Sequence, residues 1–140
     1  MNTTTYNLLI VDEDRFVANI LRQTLKTDFT LTSVNNGIEA INWLEKGNKT
    51  DFIITELAMN HLDGRELIRI VRRSNLFNHI PIMVLSEIED SSTRIECLEN
   101  GADGYLAKPF NPIEVKAKAR AILRRVQPQL QSLQQPSYVS

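Results

Sequence analysis

Four short apolar runs constrain this chain more than any other feature: Leu8 to Val11, Phe52 to Ile54, Ile80 to Leu85 and Tyr105 to Ala107. A strand with one wet face alternates apolar and polar residues. Runs without that alternation suit strands buried on both faces. A fifth run, Leu31 to Val34, is more polar. Between the runs lie segments of helical spacing. Phe16, Val17, Ile20, Leu21 and Leu25 form one stripe, Ile38, Ile41 and Leu44 a second, and Leu67, Ile68 and Val71 a third. Ile95 and Leu98 mark a short fourth helix, and Val115, Ala119, Ile122 and Val126 the last. Asn111 is placed to cap that last helix, Pro112 fits its first turn, and Asn100-Gly101 is a left-handed stop for the fourth.

Strand followed by helix, five times over, predicts an α/β fold: a doubly wound sheet of five parallel strands with five helices on its two faces. At 140 residues and 42% hydrophobic, the chain forms one domain whose core needs neither disulfides nor a structural metal. A formal net charge of −1 argues against a general binder of nucleic acid or membrane surfaces. Cys97 is the lone cysteine and reads as a packed or half-exposed thiol, consistent with a reducing cytosol. No signal peptide or membrane-spanning stretch is read, so the expected location is cytoplasmic. Residues 1–126 read as the domain. Residues 127–140, with two prolines and several glutamines, read as a mobile tail or linker stub.

The polar residues that follow the runs share one end of the sheet. The first run is followed by Asp12-Glu13-Asp14, the third strand ends in Thr55-Glu56, the fourth in Ser86 and the fifth in Lys108-Pro109. In open α/β sheets, ligands bind outside the carboxyl ends of the strands. Polar residues follow strands in any wet loop, but acids, a hydroxyl and a lysine at the same end of four strands outweigh that reading. Converging carboxylates repel one another and persist around a hard cation or a lysine. Asp12, Glu13 and Glu56 crowd together, so weak Mg²⁺ binding through water and a few carboxylates is expected, unless Glu56 pairs with Lys108 and leaves the site metal-free.

These motifs resemble the receiver domain of two-component response regulators. The resemblance runs from about Tyr6 to Val126. It rests on Leu-Ile-Val-Asp-Glu-Asp at 9–14, Leu62-Asp63-Gly64, Pro81 to Ser86, Gly101-Ala102-Asp103-Gly104-Tyr105-Leu106 and Lys108-Pro109-Phe110. It implies a flavodoxin-like fold, with Asp12 and Glu13 holding Mg²⁺ and Ser86 and Lys108 contacting a phosphoryl group. Tyr105 becomes the aromatic that reorients on activation, and Lys108-Pro109 a cis bond. It also implies a role in phosphorelay signalling with a sensor histidine kinase or another signalling protein, and no enzymatic activity of its own.

One position departs from the pattern. The family's phosphate-accepting aspartate precedes its Asp-Gly dipeptide by seven residues, and counting back from Asp63 gives Glu56. Asn60-His61 replaces the usual proline-containing turn, and Glu87 follows Ser86 where a small residue is usual. These departures favour a phosphorylation-independent pseudo-receiver over a conventional phosphoacceptor. Within that reading, Glu56 is either a partial mimic of the phosphorylated state, bonded to Ser86 and Lys108, or part of an inert docking surface. A homodimer or partner contact is expected on the face of the fourth helix, fifth strand and fifth helix. There Glu87, Glu89, Asp90, Glu96 and Glu99 stand opposite Lys116, Lys118, Arg120, Arg124 and Arg125. His61 and His79 read as solvated loop residues, and Arg65, Arg69, Arg72 and Arg73 as a solvated helix face without a nucleic-acid role.

The enzyme alternative is a small haloacid-dehalogenase-type phosphohydrolase. Asp12-Glu13-Asp14 after an apolar strand resembles its Asp-x-Asp start, with Ser86 and Lys108 as further motifs. Against it, Phe16 stands where that family has Thr or Val, and no later acidic pair follows. A flavin site is disfavoured because the first loop is acidic where a phosphate needs donors.

Overall fold

The computed structural model describes residues 5–134. Its elements alternate as expected: β1 (Tyr6–Val11), α1 (Arg15–Leu25), β2 (Phe29–Val34), α2 (Gly37–Glu45), β3 (Phe52–Thr55), α3 (Gly64–Arg73), β4 (Ile82–Ser86), α4 (Ser91–Glu99), β5 (Gly104–Ala107) and α5 (Pro112–Gln134). The strands form one parallel sheet in the order β2-β1-β3-β4-β5.

The absence of alternation in the apolar runs has a direct cause in the packing. Successive side chains of a strand point to opposite faces, and here both faces are covered. Leu8, Ile10, Phe52, Ile54, Met83 and Leu85 pack with α1 and α5 on one side. Leu9, Val11, Ile53, Ile82 and Val84 pack with α2 and α3 on the other. β2 lies at the edge, which explains its more polar run.

The caps follow local chemistry. Asn111 Oδ1 accepts the Ile113 amide at the start of α5. At the end of α4, Gly101 takes φ 120°, and the amides of Gly101 and Ala102 return to the carbonyls of Leu98 and Cys97. Asp63 and Glu66 form a reciprocal capping box on α3.

Several expectations need correction. Phe16, Ile38, Ile95 and Leu98, assigned to buried stripes, are exposed. Each lies beside the stripe that meets the sheet, which in α1 comprises Val17, Ala18, Leu21 and Leu25. Cys97, by contrast, is fully buried. Arg72 is not part of a solvated face. Its guanidinium donates to the carbonyls of Gly101, Asn78 and Ile80 and pairs with Asp103 at 2.9 Å, tying α3 to the loop before β5. The last helix also runs past Val126, through Pro128, to Gln134. The rest of the expected tail, 135–140, lies outside the described residues.

Candidate functional site

The strand order reverses between β1 and β3, and the crevice at such a switch point is where an open α/β sheet binds its ligands. Asp12 and Glu56 flank it. The parallel ladder runs one residue past each strand: the Asp12 amide donates to Val34 O at 3.0 Å and the Glu56 amide to Val11 O at 2.9 Å. Both side chains therefore leave rigid backbone rather than loop. Across the crevice, the Lys108 amide donates to Ser86 O at 2.8 Å and fixes the end of β5 to β4. The Lys108–Pro109 bond is cis, as the resemblance implied.

Glu56 is held from behind by α3. Gly64 donates its amide to Leu57 O at 3.0 Å. A Cβ at residue 64 would stand 2.3 Å from the Glu56 carbonyl oxygen. The Asp-Gly dipeptide is thus a close-approach device. The aspartate caps the helix, and the missing side chain lets the helix seat directly on the exit of β3.

Lys108 joins the two acids. Its Nζ lies 2.8 Å from Asp12 Oδ2 and 2.9 Å from Glu56 Oε2, with side chains largely withdrawn from water. The remaining carboxylate oxygens face backbone donors. Glu56 Oε1 accepts the amides of Leu57 at 2.7 Å and Ala58 at 3.4 Å, and Asp12 Oδ1 accepts that of Asp14 at 2.9 Å. Burial disfavours the Lys108 ammonium, but its hydrogen bonds to Asp12 and Glu56 outweigh that and leave its pKa above the ordinary lysine value.

The structure thus unites Asp12, Glu56 and Lys108 and leaves the other expected residues around them. Glu13 is exposed, and Asn60 Nδ2 donates to its Oε2 at 3.0 Å. Among the described residues no three Asp, Glu, His or Cys side chains converge as metal ligands. The donor set Asp12, Glu13 and Glu56 therefore does not fit Mg²⁺ in this arrangement: an ammonium sits between two of the acids, and the third is bonded elsewhere. Ser86 does not reach Glu56 as expected of the mimic. Its Oγ accepts the Ile88 amide at 3.2 Å, and no hydrogen bond links it to Glu56 among the described residues. Tyr105 is buried, its hydroxyl donates to Ile88 O, and burial pushes the phenol pKa up. Pro109 is exposed, and so is Glu87 at the rim.

Sequence reasoning missed two residues. Asn60 was noted only as a departure from a turn, and its hold on Glu13 is a contact between residues 47 apart. Arg94 lies over the Tyr105 ring, 5.7 Å from its centroid, and no local pattern points to it.

Comparison with known proteins bears on the same elements. A family model described as the response regulator receiver domain matches residues 8–120. The response regulator MprA of Mycobacterium sp. (strain KMS) is 37% identical over 122 residues, which is 86% of this chain and 52% of that protein. The chain therefore spans about half the length of the curated relatives it matches. Among solved structures, a two-component response regulator from Clostridium difficile is 31% identical at a TM-score of 0.78, covering 87% of this chain and 98% of that one. The receiver domain of the Francisella response regulator 1452 is 28% identical at a TM-score of 0.79, covering 86% and 98%.

Proposed function

Because this chain belongs to the response regulator receiver domain family, we propose that it serves two-component signalling as a receiver that acts by docking and does not depend on phosphate. The observation that supports this reading is Glu56 Oε2 at 2.9 Å from Lys108 Nζ, with Glu56 standing seven residues before Asp63, where the resemblance places the phosphate acceptor. The carboxylate already occupies the lysine that would otherwise meet a phosphoryl oxygen. Phosphoryl transfer depends on in-line positioning, and a misplacement of about 1 Å can cost on the order of 100-fold in rate. One extra methylene displaces the carboxylate by about that much.

The mimicry is partial. A charge-assisted hydrogen bond contributes roughly 1.5–3 kcal/mol. Moving a two-state protein from almost wholly one state to almost wholly the other takes about 5.5 kcal/mol. One such bond, with none to Ser86 beside it, shifts the balance without completing it. Buried Tyr105, with Arg94 over its ring, gives α4 and β5 a defined face for a partner. That partner is a signalling protein such as a sensor histidine kinase, or a second copy through the acidic α4 and basic α5. The receiver family match over 8–120 favours this reading over the phosphohydrolase one.

Mass spectrometry after incubation with acetyl phosphate and Mg²⁺ tests the reading. The wild type is expected to stay unmodified, and Glu56→Asp, or Glu56→Asp with Glu87→Ala, to gain a base-labile phosphoryl group on residue 56. Modification of wild-type Glu56 would sink it.

A further inference from the structure

We propose that Lys108 is the resident counter-ion of this pocket, doing the work of a divalent cation, and that Asn60 is a positioning residue that keeps Glu13 out, so that the receiver holds its state without metal. The proposal rests on the reading of Glu56 as the pocket's own anion.

Three observations carry it. The Lys108 ammonium touches one oxygen of each buried carboxylate, at 2.8 and 2.9 Å. The second oxygen of each is taken by backbone amides, those of Asp14 on one side and of Leu57 and Ala58 on the other. The third acid, Glu13, is bonded to Asn60. Mg²⁺ demands near-octahedral oxygen ligands at about 2.0–2.1 Å. To enter, it has to approach an ammonium that already lies between two of its prospective ligands, or expel that ammonium from both contacts. Like charges at such separations in a site withdrawn from water repel strongly. Neutralisation is therefore built into the chain. The longer reach of glutamate at residue 56 suits this, because its carboxylate meets Lys108 while still accepting the Leu57 amide.

The test is cation binding by the full chain, read as loss of the free Mn²⁺ electron paramagnetic resonance signal and as the shift of thermal unfolding in Mg²⁺. The wild type is expected to leave the Mn²⁺ signal unchanged at millimolar concentration and to melt at the same temperature with or without Mg²⁺. Lys108→Met removes the competing charge and should bind Mn²⁺ at least about tenfold more tightly than the wild type. Asn60→Ala frees Glu13 on an exposed loop and should tighten binding by a few-fold, a gain that mere loss of a structural contact does not produce. If Lys108→Met folds only when Mg²⁺ is added, the proposal is supported in the same sense. Sub-millimolar Mn²⁺ binding by the wild type that Asp12→Asn abolishes would overturn it. So would a folded Lys108→Met that binds no more tightly than the wild type, and an Asn60→Ala no tighter than the wild type would remove Asn60 from it. Phosphoryl incorporation is not read here, so failure of this proposal and failure of the phosphate-independent reading are told apart.

Discussion

Glu56→Gln and Lys108→Met, made singly and together, isolate the coupling between these two side chains. At the observed 2.9 Å, Coulomb attraction between unit charges is about 6 kcal/mol at an effective dielectric of about 20. That figure is a ceiling. Both groups lose hydration on burial, and Lys108 divides its charge with Asp12 at 2.8 Å. With the pair's side chains only 12% and 8% exposed, screening by solvent is slight, and a coupling energy of about 2 kcal/mol remains, within the range for contacting charged groups. Single variants alone do not separate this from relief of repulsion between Asp12 and Glu56, which is why the cycle is needed. The assay is urea unfolding with constant slope, so that midpoints convert to stability. The Lys108 pKa is raised, so the pair's contribution is fully present below the ordinary value of 10.5 and is lost as pH rises through the raised value. A coupling below about 0.5 kcal/mol, the ordinary error of additivity, would refute the reasoning.

Gly64→Ala should destabilise the fold by about 1–3 kcal/mol or more, because its Cβ meets backbone of Glu56 and Leu57 that cannot rotate away; thermal unfolding reads it. His61 holds φ 66° without a side-chain partner among the described hydrogen bonds. His61→Gly should stabilise by about 0.5–1 kcal/mol, since the relief of left-handed strain exceeds the added chain entropy, and an unchanged urea midpoint would speak against that strain. Asp90 caps α4, and bonds from Ser92 and Thr93 lower its pKa from 3.8 to about 2. Its contribution is present above pH 3.8 and is lost as pH falls through about 2. Helical circular dichroism should therefore fall over that window in the wild type and fall less in Asp90→Asn.

The chain by itself determined the alternation of elements, the parallel sheet and the end of the sheet that carries the site. Each of these follows from local chemistry: runs such as Phe52 to Ile54 are apolar throughout because both faces are covered, and Asn111 and Gly101 mark helix ends through their own side chain or its absence. The place of Glu56 at the exit of β3 was equally legible, because it directly follows the apolar run Phe52 to Ile54 and Thr55. Pairing across the crevice was not. Lys108 stands 96 residues from Asp12, and whether it would meet Asp12, Glu56 or neither depends on how β5 is pinned to β4 and how far each side chain reaches. The same holds for Glu13, which sequence spacing grouped with Asp12 and tertiary structure gave to Asn60. Asp12 still follows the β1 ladder, whereas Glu13 lies in the bend beyond it, so these neighbours in sequence part company. Groups that share a pocket are chosen by where the strands end, and only the assembled sheet decides that.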